Sequence, residues 1–457
     1  MTQRAHNPLA GKYTRYLPIL LLVAGVFAVY GATFGHDFLI NWDDEGYVLK
    51  NGAVRGFSLP HLRAAFTSYF VGNYAPVQII SYMLDYELWG MNPAGFIATN
   101  LLLHSLNGVM LYGLTLKLCE ERLIAWGAAF VFLFHPVQVE SVAWISQRKT
   151  LLAMVFFLAA LRLYLEYRER RSVAAYWWSL AAFTLALLSK AVVVIFPLVA
   201  LLVDLCFAGT SGRPRLRDKL PYLGASLVVG CLALVSHAPV LNRPSGIRAY
   251  PGGTLLTTAY TMAPVLSSYL RDCFLPLDLS PYYMTPIKAS PDGEVLLSAV
   301  LVLLLCLLGL LLSRRSRTLF FWYALFFAGL LPVSQVVPLI TLKNDRYLYF
   351  PMLGFAPFVA MVLGALLRKR GGWRWVAGLS ILVALVSLPL RAYRQSLVWK
   401  DSLTLWSYAL RKDPRNQVAL QMLALYHTRH GNVAQAFDAV NELNRLKARY
   451  GPVRGWE

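Results

Sequence analysis

Residues 17–34 read LPILLLVAGVFAVYGATF, and residues 41–45 just beyond them read NWDDE. The first stretch carries no charge and approaches the roughly 20 apolar residues that cross a bilayer. Three carboxylates, Asp43, Asp44 and Glu45, then follow in consecutive positions. Acids crowded at a lipid boundary repel one another and lose hydration, so a chain keeps them there where they are used. The pair of stretches predicts a membrane protein with chemistry at the far surface of its first span.

Outward from this point the apolar pattern repeats. Long uncharged runs recur along the first 392 of 457 residues, and the whole chain is 57% hydrophobic and 14% charged. Soluble domains carry about 25% charged residues, and a mean hydropathy of +0.51 over this length marks a polytopic membrane protein. The runs are too long and continuous for the short alternating strands of an outer-membrane barrel.

A formal charge of +20 suggests nucleic acid until the charges are located. They sit in short loops between spans: Arg168, Arg170 and Arg171; Arg213, Arg215, Arg217 and Lys219; Arg314, Arg315 and Arg317; Arg368, Lys369, Arg370 and Arg374. That placement reads as a cytoplasmic signature, so no nucleic-acid partner is expected. Lys12 and Arg15 put the N-terminus on the same side, and no cleavage site marks the first span as a removable leader. Cys119, Cys206, Cys231, Cys273 and Cys306 are scattered and form neither a metal spacing nor a disulfide framework.

Alternation of charge along the chain predicts about eleven crossings and an all-α fold. The expected spans are 17–34, 96–116, 123–141, 150–166, 175–189, 191–207, 220–237, 293–312, 318–334, 347–367 and 373–391. Residues 35–94 and 239–292 form outer loops, with an amphipathic stretch at Val77–Trp89 in the first and a segment, 255–275, lying on or dipping into the membrane in the second. The membrane domain takes 1–394. From 395 to 457 the composition changes to three amphipathic helices, at Asp401–Arg411, Gln417–His430 and Val433–Lys447. Ala409, Pro414, Leu423, Ala424, Tyr426, Gly431 and Ala436 follow tetratricopeptide spacing for about one and a half repeats, against a generic helical hairpin. So few repeats must lean on the membrane domain, since about three are needed for independent stability.

Candidate chemistry gathers at outer span ends. Asp43 and Asp44 are placed to act as a base, or else cap a helix or lie in a solvated loop. Asp85, Glu87 and Glu140 are nearby acids, the first two also readable as a polar helix face. Arg148 and Lys149, Lys190, and Lys343 with Arg346 are cations on the side that the charge rule leaves poor in them. Several such cations beside carboxylates favour a phosphate site over snorkelling to head groups. His135 precedes Pro136 at a span end, within reach of a carboxylate. His104, with Asn100 and Asn107 on one helix face, reads as a hydrogen-bonded packing cluster. No zinc spacing, P-loop or dinucleotide fingerprint is present.

Several segments are similar to a known family. These are NWDDEGYVLKN at 41–51, NPAGFIATNLLLHSLN at 92–107, HPVQVESVAWISQRKTLLAMVFFLAALRLYL at 135–165, LLSKAVVVIFPLVALLVDL at 187–205, YLRDCFLPLDLSPYY at 269–283, PVSQVVPLITLKNDRYLYFP at 332–351, and WKDSLTLWSYALRKDPRN at 399–416. Together they resemble the transmembrane and tetratricopeptide-repeat O-mannosyltransferases and their bacterial relatives, within the GT-C class of glycosyltransferases that use lipid-linked sugars. The family often carries a longer repeat array.

The resemblance implies transfer of one sugar from a polyprenyl-phosphate donor to an acceptor hydroxyl of a protein or glycan, with inversion. It implies Asp43 as the base, Asp44 as its neighbour, and Arg346 and Lys190 near the lipid phosphate. Arg148 and Lys343 are added as phosphate ligands, and Asp85, Glu140, His135 and Tyr347 as support for an acceptor or metal. Dependence on a divalent metal stays open. An inner-membrane location with the site and the C-terminus in the periplasm is expected, with membrane lipids as surroundings. A transporter or flippase of anionic or lipid-linked solutes is the competing reading, although such folds show internal repeats and broken midplane helices. A scaffold recruiting a partner through the C-terminal helices is a third.

Overall fold

The computed structural model describes residues 8–207, 215–241 and 248–453. Arg213 and residues 242–247 of the expected second outer loop lie outside the described residues. Among the described residues the fold is all-helical, with one isolated bridge between Phe70 and Asn73.

In chain order the α-helices are α1 (Pro8–Tyr30), α2 (Leu59–Thr67), α3 (Pro76–Trp89), α4 (Pro93–Cys119), α5 (Arg122–Phe134), α6 (Val139–Ala143), α7 (Arg148–Arg170), α8 (Val173–Ser189) and α9 (Phe196–Phe207). Then come α10 (Leu220–Leu241), α11 (Leu255–Phe274), α12 (Gly293–Arg315), α13 (Arg317–Leu330), α14 (Met352–Leu367), α15 (Gly372–Ser396), α16 (Ser402–Lys412), α17 (Gln417–Arg429) and α18 (Val433–Tyr450). Their starts are set by short polar side chains that accept an otherwise unpaired N–H. Asn92, Ser172, Asp292, Ser316, Asp401 and Asn416 cap α4, α8, α12, α13, α16 and α17 in this way.

Each expected span coincides with a helix, but not every one is a full crossing by length. Six segments are long and apolar enough: Leu17–Gly35, Pro93–Cys119, Ile145–Arg170, Leu216–Ser236, Gly293–Arg315 and Gly372–Trp399. The expected span 123–141 is broken by 53° between α5 and the stretch Pro136–Ala143. Pro136 has no N–H to continue the ladder, and His135 turns to an extended conformation before it. Val173–Ser189, Ala191–Phe207, Arg317–Val333 and Met352–Leu367 are shorter apolar helices. α11 is not among the membrane-capable segments, in keeping with its mixed Thr, Ser, Tyr and Arg content.

The helices sort into interior and periphery. In the α7 span 61% of the apolar window is buried, against 17% in the far more apolar α12. α7 packs on α4 and α8, α4 on α5, and α5 and α13 on α14. The α13–α14 approach is backbone to backbone, because a Cβ at Gly354 would collide with Trp322 and Phe326. At one end of the bundle the basic connections meet, joined by the ion pairs Lys117–Glu169 at 2.5 Å and Arg368–Glu121. At the other end lie the loop after α1, the start of α7, the turn at Lys190 and the 331–351 segment, with α16 and α17 packed over them.

Candidate active site

The loop after α1 is shaped by its own backbone. Asn41 adopts a left-handed conformation, φ +66°, which asparagine tolerates better than most residues. The chain reverses there and sends Asp44 inward. Asp44 is buried, and its Oδ2 accepts the N–H of Leu39 at 3.0 Å. Its Oδ1 accepts the N–H of Ser146 at 2.9 Å and also the Ser146 hydroxyl. Asp44 thus fastens the loop to the turn Ile145–Gln147 that opens α7. Burial raises its carboxyl from the ordinary 3.8 to about 6, against the pull of these hydrogen bonds.

Asp43 is different. It is half-buried and makes no hydrogen bond or ion pair with another described residue. Its charge instead acts through space on Lys149, Lys190 and Arg346. Lys149, the second residue of α7, donates to the Tyr47 hydroxyl at 2.9 Å and lies 4.6 Å from the centre of that ring. Lys190, between α8 and the 3-10 turn Ala191–Ile195, donates to Thr150 Oγ1 at 2.8 Å. Arg346, in the 3-10 turn Asp345–Leu348, pairs with Glu140, whose Oε2 also accepts the Arg346 N–H at 2.8 Å. Its guanidinium lies 5.5 Å from the ring centres of both Trp144 and Tyr347. Three cations from three elements thus lie within the field of one carboxylate, and of the three Arg346 alone has an acid in direct contact among the described residues. Such a site is short of negative charge and would accept an anion.

The other expected residues are placed elsewhere. Arg148 is fully buried and lies 2.7 Å from Asp85; it donates to Asn100 Oδ1 at 2.5 Å and Phe96 O at 2.6 Å. Arg148 and Asp85 therefore tie α3, α4 and α7 together and are not turned to the Asp43 group. Glu87 is exposed. Lys343 pairs with Asp272 at 2.5 Å and sits 4.3 Å from the Tyr283 ring centre. It lines a polar cleft of about 330 Å³ with Ser268, Ser280, Tyr283, Lys288 and Lys412. Tyr283 donates to Asp345 at 2.6 Å. Burial and the nearby Glu140 charge hold the Asp345 carboxyl well above the ordinary carboxylate range.

His135 donates from Nε2 to Cys273 O at 2.9 Å while its Nδ1 accepts the Val137 N–H at 3.4 Å, so it caps the turn after the helix break. The Tyr347 hydroxyl bonds Thr341 at 2.9 Å, leaving its ring to Arg346. His104 bonds Tyr349 and Leu133 O, and Asn100 and Asn107 bond backbone carbonyls, which makes a packing cluster. Among the described residues no three of His, Cys, Asp and Glu gather as metal ligands.

Tyr47 is the member of the cluster that the sequence reading does not name; Lys149 stands there among the outer cations, but the phosphate role is given to its neighbour Arg148. Arg148 and Lys149 are adjacent, and neighbours on a helix diverge by about 100°. Which of the two faces Asp43 depends on where α7 touches α3 and α4. Beside the Lys190 turn, the turn Leu331–Val333 packs close. From Leu331 an apolar groove of about 380 Å³ runs along α13 between α9 and α12, walled by Leu198, Leu202, Leu305, Phe320 and Phe327.

No family model matches the chain. It is 24% identical over 423 residues to the protein O-mannosyl-transferase F38B6.6 of Caenorhabditis elegans, covering 87% of this chain and 58% of that protein. It is 22% identical over 449 residues to human protein O-mannosyl-transferase TMTC3, covering 87% of this chain and 48% of that one. The chain thus spans about half the length of these curated relatives. Among solved structures, an Archaeoglobus fulgidus oligosaccharyltransferase tethered to an acceptor peptide aligns with 90% of this chain and 57% of its own, at 12% identity and TM-score 0.43. ArnT of Cupriavidus metallidurans, bound to undecaprenyl phosphate, aligns with 89% and 80%, at 15% identity and TM-score 0.39. The resemblance read from the segments is thus met in the comparison: this multi-pass membrane chain is similar, along most of its own length, to protein O-mannosyl-transferases.

Proposed function

We propose that this chain is an inverting glycosyltransferase that moves one sugar from a polyprenyl-phosphate donor to an acceptor hydroxyl, a Ser or Thr of a protein. The observation that carries the reading is Asp43, a carboxylate with no partner of its own among the described residues, within the field of Lys149, Lys190 and Arg346. The names borne by the sequence relatives support the same class.

In this mechanism Asp43 takes the hydroxyl proton as the oxygen attacks the anomeric carbon from the face opposite the phosphate. The bond between that carbon and the phosphate oxygen breaks, and its electron pair leaves with the polyprenyl phosphate. Lys149, Lys190 and Arg346 stabilise the charge that grows there. Phosphate leaves readily, so no strong general acid is required. Asp44, held by Leu39 and Ser146, orients the loop. The groove beside the Lys190 turn suits an isoprenoid chain. Residues 1–394 act as the transferase domain and 395–457 as a helical region on the same face. The asymmetry of the basic loops supports a periplasmic position for that face, in an inner membrane.

Purified protein incubated with a panel of polyprenyl-phosphate sugars should release free polyprenyl phosphate. Asp43→Asn should lower the release about 10²–10⁴-fold without disturbing folding or insertion. Full activity of that variant would overturn the assignment.

A further inference from the structure

We propose that α16 and α17 form a clamp on the Asp43 loop, with Trp406 and Arg429 as positioning residues; this rests on the reading of Asp43 as the base. The loop is fastened to the C-terminal helices on both sides of the acid. Before it, the Asp37 N–H donates to Lys400 O at 2.9 Å, and the Ser402 hydroxyl donates to Ile40 O at 2.6 Å. The left-handed Asn41 donates from its side chain to Met422 O at 3.4 Å, in α17. After it, Glu45 pairs with Arg429 of α17 at 2.9 Å. The same Glu45 oxygen accepts the Asn41 N–H at 3.0 Å, so one carboxylate joins the start of the reversal, its end and α17. Arg429 and Lys50 hold that carboxyl down to about 2, which keeps it ionised at any working pH.

Trp42, the residue before Asp43, is wedged between indoles. Its ring meets Trp406 of α16 edge-on at 4.7 Å and stacks on Trp144 at 5.8 Å, and Trp144 stacks on Trp399 at 5.5 Å. Trp406 is fully buried. Asp43 adds no fastening through its own carboxylate, so its position is inherited from these neighbours. A misplacement of about 1 Å in a reacting group costs on the order of 10²-fold in rate. The C-terminal helices thus belong to the catalytic machinery, beyond any contact they make with an acceptor. Removing residues 396–457 should therefore abolish turnover even on a small acceptor.

The test uses the full chain and four variants, Trp406→Ala, Trp406→Phe, Arg429→Ala and Arg429→Lys. Two quantities are read: amide hydrogen exchange over residues 37–47, and kcat with donor KM for polyprenyl-phosphate mannose. Trp406→Ala and Arg429→Ala should speed exchange in that loop while α7 stays protected. They should lower kcat about tenfold or more with KM unchanged, and Arg429→Lys and Trp406→Phe should recover most of it. Unchanged loop exchange in both alanine variants would overturn the clamp, as would parental kcat in them. Arg429 is half-exposed, so its variants remain informative where Trp406→Ala fails to fold. If parent and variants alike release no polyprenyl phosphate, the transferase reading fails, while loop exchange still decides the clamp.

Discussion

Two charge clusters sit at opposite ends of α7, and they are built differently. Lys149 at one end and Arg168 at the other are separated by about 29 Å of helix at 1.5 Å per residue. At the far end, Asp204 of α9 accepts the Tyr164 hydroxyl at 2.9 Å and lies 3.0 Å from Arg168 on one oxygen. Its other oxygen pairs with Lys219 and accepts the Arg215 N–H at 3.3 Å. Both oxygens of this acid accept hydrogen bonds from within the protein, and two cations pair with it directly. At the near end Asp43 has cations around it and none in contact. A closed cluster of the first kind holds helices together and offers nothing to a ligand. An open one of the second kind leaves both a carboxylate and a positive field to be completed from outside.

Substitution of the two acids separates these roles most strongly. Asp43→Asn should lose about 10²–10⁴-fold in kcat with an unchanged melting temperature. Asp204→Asn should do the reverse, because it strands the buried Lys219 and leaves Arg168 only the longer pair with Asp218 at 3.8 Å. Breaking a buried pair typically destabilises by about 3–5 kcal/mol, seen as a lower unfolding midpoint in detergent, while kcat per folded molecule is retained. A large loss of kcat in folded Asp204→Asn protein would erase the distinction.

Next in size is Asp44, which titrates at about 6 against an ordinary 3.8. The folded protein binds this proton more tightly than the unfolded chain does. Its stabilisation is therefore complete below 3.8 and is lost as pH rises through 6. Asp44→Asn lacks this dependence, so its stability relative to the parent should improve by up to about 3 kcal/mol between pH 4 and pH 7. A difference that stays flat with pH would show that burial does not govern this acid.

Lys190→Met should lower kcat about tenfold with donor KM little changed, since one of three cations is removed from the leaving phosphate. A rise in KM alone would make Lys190 a binding group. The smallest effect is expected at the basic end: Arg368→Ala breaks an exposed ion pair with Glu121 and should shift stability by less than about 1 kcal/mol.

The helical plan was legible because lipid demands long apolar runs, and those runs leave a direct trace in the sequence. The break at His135–Pro136 was not anticipated; span 123–141 had read as continuous. A single proline inside an apolar run bends or ends a helix according to the partners its freed carbonyls find. At the site, the acidic pair and the DRYLY segment drew attention to Asp43 and Arg346, and the structure brings the two within electrostatic reach. The exchange of Arg148 for Lys149 could not be read, because it depends on the register of α7 against α3 and α4. The seating of α16 and α17 on residues 37–45 joins parts of the chain more than 350 positions apart, which local pattern does not encode.

With charges anchored at both extremities, α7 behaves as a strut of set length. Neither extremity can slide toward the midplane without carrying an ammonium or guanidinium group into hydrocarbon. A bilayer of unsuitable thickness must then deform around the protein or load the contacts that Lys149 makes with Tyr47 and Thr150 makes with Lys190. Under the proposed function, turnover should therefore change with the acyl-chain length of the surrounding lipid.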